Sequence, residues 1–154
     1  FCFKNFNVSF WTAGTPPYCM NILHKILTPE QLLKAHIIFA RRNINKTYNC
    51  KNKETMRHRS INGDYPKLLD ILWNHPIYKK KFNKNNTILI DNSKIHTSRY
   101  PKNTLHVPDY FGTDDDSIDR DRYFVKLIKW LKEHRNSNSV SKLNKTKHKL
   151  QKKN

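Results

Sequence analysis

The clearest feature of the hydrophobic pattern is a short run without alternation, Thr87-Ile88-Leu89-Ile90, which is followed directly by Asp91 and Asn92. A short apolar run rich in β-branched residues is typical of a strand buried on both faces, as in a parallel sheet. In open α/β sheets, ligands bind beyond the carboxyl ends of such strands. Asp91 and Asn92 lie at that place, and their oxygens suit a hard cation such as Mg²⁺. A local Asx-turn is the competing interpretation.

Strand-like and helix-like patterns alternate along the first forty residues. Met20, Leu23, Ile26 and Leu27 recur at helical spacing and predict the buried face of a helix. Thr28, with a proline after it, is a helix-start signal for a second, short helix. The predicted elements are the last turn of a helix at residues 1–6, strands at 7–11 and 36–40, and helices at 17–27 and 28–35.

The second half continues the alternation with longer polar connections. A last helix is predicted to open at the acidic residues 114–117, whose charges agree with the helix dipole, and to bury Phe124, Leu127, Ile128 and Leu131. The other predicted elements are a helix at 67–73, strands at 87–90 and 104–107, and loops at 43–62, 74–86 and 94–103, the first with a short edge strand near 56–60. Strands that alternate with helices predict an α/β domain with a mostly parallel sheet.

Composition changes this picture mainly at the C-terminus. The 154 residues carry a formal charge of +18, which favours a polyanionic or phosphorylated partner. Ser, Asn and Lys dominate the last stretch, and such a composition buries too little apolar surface to fold. The prediction is therefore one domain at residues 1–134 and a disordered basic tail at 135–154. Nucleic acid bound through that tail is an alternative partner, because lysine contacts to phosphate need no sequence motif.

Cysteine usage and hydropathy limit the class of protein. Cys2, Cys19 and Cys50 are far apart, show no zinc spacing and are odd in number, so a disulfide framework is not expected. No run approaches the length of a membrane span, and no signal peptide is visible. We expect an intracellular protein, nuclear or cytoplasmic, with no membrane partner. The chain starts at Phe1 rather than Met, so a fragment is expected.

Four segments, at residues 10–18, 63–67, 88–93 and 101–111, follow one another in this order along the chain. Together they resemble the haloacid-dehalogenase-type phosphatases that act on the C-terminal domain of RNA polymerase II, the NLI-interacting-factor-like branch. Phe10-Trp11-Thr12-Ala13-Gly14, with Tyr18 behind, is similar to the family's strand-then-Thr motif. Gly63-Asp64-Tyr65-Pro66-Lys67 is similar to its Lys motif. Ile88-Leu89-Ile90-Asp91-Asn92-Ser93 resembles its D-N-S motif. Residues 101–111 resemble its P-x-N-x-I-x-V stretch. The resemblance covers about residues 1–131 and implies a Rossmann-like parallel sheet with flanking helices.

The resemblance also implies roles for individual residues. Thr12 and Ala13 would bind the phosphoryl group, with the Thr12 hydroxyl on a phosphoryl oxygen. Lys67 would neutralise the nucleophile and the phosphoryl charge, and Asn92 would bind Mg²⁺. Asp91 would bind the same cation or orient Lys67 and the waters on the metal. Thr12, Lys67 and Asp91 are then the catalytic residues, and the substrate is a phosphoserine or phosphothreonine protein or peptide. The plainer alternatives are a helix cap for Thr12, a solvated charge for Lys67 and a turn for Asp91-Asn92.

One departure from the family pattern is serious. The family's nucleophile lies in an Asp-x-Asp-x-Thr motif after a first strand, and both are missing ahead of Phe1. Asp119-Arg120-Asp121 has the spacing but lacks a preceding apolar strand, as do Asp114 and Asp116. A phosphoaspartate mechanism needs a carboxylate nucleophile. The chain is therefore expected to be a fragment of a longer phosphatase or a non-catalytic relative that binds phosphopeptides or proteins. Thr12, Lys67 and Asn92 are expected to converge on one phosphate site.

Overall fold

The computed structural model of this chain describes residues 1–41, 67–110 and 122–145. The chain divides into two compact units, Phe1–Lys67 and Leu68–Asn154. Each unit is a mixture of helices and short strands, and each contains a two-stranded parallel sheet. The prediction of helices that alternate with parallel strands is confirmed for these two small sheets. A Rossmann-like sheet of more strands stays a prediction.

The first unit alternates helices with two strands that pair in parallel. Phe10 pairs with Ile38 and Trp11 with Phe39, and the Trp11 and Phe39 rings lie 4.7 Å apart between centroids. The elements are α1 (Cys2–Asn5), β1 (Phe10–Trp11), α2 (Pro16–Ile26), α3 (Pro29–Lys34) and β2 (Ile38–Phe39).

The core of the first unit forms where α2 and α3 pack on the strands. Cys19, Met20, Leu23, Leu32, Ile38 and Ala40 make up this buried cluster. Leu27 packs against it as predicted, but Ile26 is 62% exposed, so its assignment to the buried face was wrong. Ile26, the last residue of α2, lies to one side of the helix face formed by Met20, Leu23 and Leu27, which contacts the core.

The start of α3 follows the local chemistry that the sequence predicts. The Thr28 hydroxyl accepts a hydrogen bond from the Gln31 N–H, and the Gln31 side chain accepts one from the Thr28 N–H. This capping box satisfies two helix-end donors at once. Pro29 occupies the first turn, where a missing N–H costs nothing.

The second unit pairs its two strands in parallel as well. The register joins Leu89 to Thr104, Ile90 to Leu105 and Asp91 to His106, and Leu105 is fully buried. The elements are α4 (Leu69–Asn74), a 3₁₀ turn at Tyr78–Lys80, β3 (Leu89–Asp91), α5 (Lys94–Arg99), a 3₁₀ turn at Pro101–Asn103, β4 (Thr104–His106), α6 (Tyr123–His134) and a 3₁₀ turn at Val140–Lys142.

Two predictions for the middle of the chain were wrong. Residues 87–90 were expected to be buried on both faces, but Ile90 is 39% exposed and Leu89 is only half-buried. Within the described residues β3 pairs with β4 alone, and Ile90 lies on the face of this pair opposite to that of the buried Asp91. Residues 94–103 were expected to form a loop. They form α5 and a 3₁₀ turn instead, because the Thr97 N–H bonds to the Ser93 carbonyl and the buried Thr97 anchors that turn.

Of the four residues predicted to form the buried face of α6, Leu127 and Leu131 are buried, Ile128 is half-buried and Phe124 is exposed. Tyr123, Leu127, Trp130 and Leu131 are buried, whereas Phe124 is 70% exposed. The observed set has the spacing i, i+4, i+7, i+8, which is one helix face. Tyr123 and Phe124 are adjacent aromatic residues at the start of the helix, so the sequence alone did not show which of them is buried.

The segment at residues 136–145 does not behave as the predicted disordered tail. The Val140 N–H bonds to the Asn85 carbonyl at 2.7 Å, and the Ser139 hydroxyl lies 3.0 Å from the Asn85 side-chain oxygen. The Trp130 indole N–H donates to the Asn144 carbonyl at 3.3 Å. These contacts hold the segment against the second unit, so the ordered part of the chain extends beyond residue 135.

Several predictions fall outside the described residues. They concern the loop at 43–62 with its edge strand, the acidic start of the last helix, Asp119 and Asp121, Cys50, and the basic residues after Lys145. Among the residues that the structure describes, Cys2 and Cys19 are not in disulfides, and no helix has both the length and the apolar character needed to cross a membrane.

Candidate functional site

Thr12 directly follows β1, and its loop is the first part of the candidate site. We call residues 12–15 the Thr12 loop. The Thr12 N–H extends the sheet ladder by bonding to the Phe39 carbonyl at 2.9 Å, and the Thr12 Oγ1 accepts the Gly14 N–H at 3.0 Å. An oxygen that accepts this bond keeps its own proton to donate. The Ala13 N–H has no acceptor within the described part of the chain, so two donors remain available side by side.

Arg41 fixes this loop from the end of β2. Its Nε donates to the Ala13 carbonyl at 3.0 Å, and its backbone N–H donates to the Gly14 carbonyl at 2.9 Å. Gly14 allows close packing, because a Cβ there would lie 2.7 Å from the Tyr18 ring. The loop is therefore held in one shape by hydrogen bonds before any ligand binds, which reduces the ordering cost of binding.

Cys19 lies in the second turn of α2, close in sequence to this loop. It is buried, and burial raises the pKa of its thiol. A raised pKa keeps the sulfur protonated at neutral pH, whereas a nucleophilic cysteine needs its thiolate. The arrangement therefore argues against a cysteine nucleophile at this position.

Lys67 is the last residue of the first unit and precedes α4. Its side chain is half-buried, and the predicted helix start at this residue is two positions early, because α4 begins at Leu69. The role of Lys67 as a cation beside the phosphate stays a prediction.

Asp91 is the last residue of β3 and is 5% exposed. Its Oδ1 accepts the Ser93 N–H at 2.8 Å, which is the Asx-turn that the sequence offered as the alternative interpretation. Its backbone carbonyl accepts the Val107 N–H at 2.9 Å and continues the ladder to the strand β4. Asp91 therefore stabilises the turn into α5. The bond from the Ser93 N–H occupies one of its two carboxylate oxygens.

Asn92 follows at the carboxyl end of the same strand and is exposed. Its Nδ2 donates to the Asp109 Oδ1 at 2.5 Å. Asp109 comes three residues after β4, so the bond joins the chain beyond one parallel strand to the chain beyond its neighbour. We call Asp91, Asn92 and Asp109 the strand-end cluster.

The chemistry of the strand-end cluster fits a hard cation. It offers two carboxylates and an amide carbonyl, and Mg²⁺ prefers oxygen ligands of these types while keeping several waters. The described residues contain no group of three or more His, Cys, Asp and Glu side chains placed to hold a metal. A cation here would therefore need the Asn92 carbonyl and further oxygens from water or substrate.

The structure places the predicted residues in two groups. Thr12, Ala13 and Lys67 belong to the first unit, whereas Asp91 and Asn92 belong to the second. Their convergence on one phosphate stays a prediction. Sequence reasoning assigned no role to Arg41 or Asp109. The signal that could have found them is topological, because each follows a strand that runs parallel to one already singled out.

Comparison with known proteins identifies the family. The sequence model described as NLI interacting factor-like phosphatase matches residues 1–141 of this chain. The chain belongs to this family. The match includes Thr12, Lys67, Asp91, Asn92 and the segment at 136–141, and it confirms the resemblance that the four sequence segments indicated.

Two curated relatives show how far the similarity extends. A putative CTD phosphatase-like protein of Invertebrate iridescent virus 6 is 28% identical over 138 residues, covering 88% of this chain and 69% of the relative. An uncharacterized FCP1 homology domain-containing protein of Schizosaccharomyces pombe is 21% identical over 141 residues, covering 92% of this chain and 57% of the relative. The chain thus spans a little over half of the second relative. No solved structure matches it significantly.

Proposed function

We propose that this NLI interacting factor-like chain carries the phosphate-binding and Mg²⁺-binding parts of a protein phosphatase for phosphoserine or phosphothreonine. The observation that carries the proposal is the Thr12 loop. The Thr12 hydroxyl proton and the Ala13 N–H are adjacent donors on a loop that hydrogen bonds to Phe39 and Arg41 hold in place. Preorganised donors of this kind stabilise the charge on a phosphoryl group without reorganisation.

Each residue has a separate part in the proposed chemistry. Thr12 and Ala13 hold a non-bridging phosphoryl oxygen, and Lys67 supplies the positive charge that offsets the negative charge of the phosphate. Asn92 and Asp91 would hold the cation, which would supply further positive charge to stabilise the phosphoryl group. Positioning and charge neutralisation account for most of the catalysis of phosphoryl transfer.

A nucleophile is not among the residues to which we assign roles. The family mechanism attacks phosphorus with the first aspartate of Asp-x-Asp-x-Thr, and these 154 residues contain no such motif after an apolar strand. We therefore expect the chain as given to bind phosphorylated serine or threonine peptides without turning them over. A carboxylate nucleophile would have to be supplied for hydrolysis.

The test uses the full 154-residue chain with a phosphoserine peptide and its unphosphorylated form. Calorimetry in the presence of Mg²⁺ should show binding of the phosphopeptide alone. Thr12→Val removes the hydroxyl at nearly constant volume, and Lys67→Ala removes the cation, so both should weaken binding by about tenfold or more. Lys25→Ala, an exposed lysine of α2, is the matched control and should bind as the wild type does.

Turnover is measured separately with p-nitrophenyl phosphate and Mg²⁺. We expect none above background. Clear hydrolysis that disappears in Lys67→Ala would refute the expectation that the nucleophile is missing. Equal affinity for the two peptides would refute the proposed function itself.

A further inference from the structure

Asp109 is an exposed carboxylate that has no role in the proposed function. Its Oδ1 accepts the hydrogen bond from Asn92 Nδ2 at 2.5 Å, which is short for a bond from an amide nitrogen to a carboxylate. Asp70 and Asp109 are the two exposed aspartates among the described residues, and Asp70 instead accepts the hydroxyl of Tyr100.

This bond decides which end of the Asn92 amide faces outward. An amide carries a donor nitrogen and an acceptor oxygen that look alike in shape, and the two ends can exchange by rotation. An ionised carboxylate can only accept, so Asp109 pairs with the nitrogen and rejects the oxygen. The Asn92 Oδ1, the only atom of that side chain that can bind a cation, is thereby turned away from Asp109. It accepts no hydrogen bond within the described part of the chain.

The pairing of β3 with β4 brings the two residues together. The ladder continues beyond the strands through the bond from the Val107 N–H to the Asp91 carbonyl. Asn92 is thus one residue past the last ladder bond on one strand, and Asp109 is two residues past it on the other. Pro108 restricts the backbone between them. Asp109 therefore reaches Asn92 from a short segment of limited freedom.

We propose that Asp109 is the positioning residue of the cation site, holding the Asn92 amide with its carbonyl oxygen directed at the cation. This inference rests on the proposed function for the ligand role of Asn92 and adds a residue to it. Partners that orient a ligand in this way commonly change metal affinity by 10–100-fold when they are removed. Because Asn92 and Asp109 are both exposed, we expect a loss near the lower end, about tenfold, in Asp109→Ala.

The first measurement needs no metal. In nitrogen-15 NMR spectra of the full chain, one Asn92 side-chain N–H should resonate downfield because it donates to a carboxylate. The signal is assigned by its loss in Asn92→Ala. It should move toward the free-amide position in Asp109→Ala and stay in place in Asp70→Asn, which removes one carboxylate elsewhere in the same unit. An unshifted signal in Asp109→Ala would overturn the inference.

The second measurement is calorimetric titration with Mg²⁺ alone. Asp109→Ala should bind about tenfold more weakly than wild type, and Asp70→Asn should bind as wild type does. Asp109→Asn keeps an oxygen that can accept the Asn92 N–H, so its affinity should lie closer to wild type than to Asp109→Ala. If Asp109→Asn falls as far as Asp109→Ala, Asp109 acts by its charge or as a ligand, and the positioning role is overturned.

The outcomes separate this inference from the proposed function. If Mg²⁺ binding requires Asn92 but is unchanged in Asp109→Ala, the proposed cation site stands and the role of Asp109 is overturned. If the wild-type chain binds no Mg²⁺, or if Asn92→Ala binds it equally well, the proposed cation site and the role of Asp109 are both wrong.

Discussion

Arg41 donates a hydrogen bond from its Nε to the carbonyl oxygen of Ala13, over 3.0 Å, and so ties the end of β2 to the loop after β1. The backbone N–H of the same residue donates to Gly14. One residue thus fixes two consecutive carbonyls of the Thr12 loop. This explains how a loop of small residues keeps a defined shape beside only two strand-pairing positions.

We expect Arg41→Lys to loosen this loop while keeping the charge. Lysine has no Nε–H fork, so the bond to Ala13 is lost and the backbone bond to Gly14 remains. The bond is exposed, and its loss should lower the free energy of unfolding by about 0.5–1 kcal/mol. For a chain of this length that corresponds to roughly 2–4 °C per kcal/mol in the melting temperature. Arg122→Lys, at an exposed arginine, is the control, and an equal shift in both would contradict this reading.

Asn103 supplies a second prediction, because it is buried and bridges two backbone carbonyls. Its Nδ2 donates to Lys84 at 2.7 Å and to Thr87 at 2.8 Å. Asn103→Ala leaves both carbonyls without this donor, and each unsatisfied buried group costs about 1–3 kcal/mol. We expect a loss of about 2–4 kcal/mol in urea unfolding. Asn103→Asp should be worse, because a carboxylate cannot donate and would repel both oxygens.

The matched control for Asn103 is Asn86. Its Nδ2 donates to the Lys81 carbonyl at 2.7 Å and its Oδ1 accepts the Asn83 N–H at 2.8 Å, but both bonds are exposed, and its third bond is a longer one of 3.1 Å from the Thr87 hydroxyl. Asn86→Ala should therefore cost only about 1 kcal/mol, since water replaces the lost partner. Similar losses at the two positions would show that burial of the Asn103 bonds does not matter.

The parts of the fold that could be predicted from the sequence depend on local chemistry. Thr28 and Pro29 specify the start of α3 through local chemistry, and the Thr28 cap is present as expected. The two strand pairs follow from apolar runs, and both are parallel. The Thr12 and Asp91-Asn92 positions at strand ends could be found for the same reason, because a strand end is visible in the pattern.

The parts that could not be predicted depend on contacts between distant segments. The helix α5 has almost no apolar periodicity, and it is held by the Ser93 carbonyl and the buried Thr97. Phe124 is as apolar as a typical core residue, yet it is exposed and the neighbouring Tyr123 is buried. The bond between Asn92 and Asp109 joins residues 17 positions apart through the pairing of β3 with β4. No pattern of neighbouring residues in the sequence predicts such a bond.

Tyr100 and Asp70 give a prediction for pH dependence. The Tyr100 hydroxyl donates to Asp70 Oδ2 at 2.7 Å, and its ring meets the Trp73 ring edge to face. Burial, and after it the bond to Asp70, raises the pKa of Tyr100 above 10.0. The folded state therefore favours neutral Tyr100. Its contribution to stability is fully present below pH 10 and is lost as the pH rises through the folded pKa.

Tyr100→Phe removes this hydroxyl and its titration. At pH 8 we expect the variant to be less stable than wild type by about 0.5–1.5 kcal/mol. The difference should shrink above pH 10, because the wild type then loses the bond and places a phenolate beside Asp70. Urea unfolding at intervals from pH 8 to 11 measures this. Tyr110→Phe, at a residue 60% exposed, should follow the wild-type pH profile, and a constant difference between wild type and Tyr100→Phe would contradict the assignment.

The segment at residues 136–145 provides the last prediction. Ser139 is buried, Val140 bonds to the Asn85 carbonyl, and the Trp130 indole bonds to Asn144. Lys145 reaches back to the Val140 carbonyl at 2.6 Å, and burial lowers the pKa of its ammonium group. Removal of the segment would uncover the Trp130 side of α6 and leave Asn85 without its two partners.

Two truncated chains isolate this contribution, one ending at residue 145 and one ending at 135. The difference in their free energies of unfolding belongs to residues 136–145. We expect the chain ending at residue 145 to be the more stable of the two, because only it makes the hydrogen bonds to Asn85 and Trp130 and covers the Trp130 side chain. The single variant Ser139→Ala should lose about 1 kcal/mol of the same quantity. Equal stability of the two truncated chains would mean that the packed segment contributes nothing, and residue 135 would then be the end of the stabilising structure.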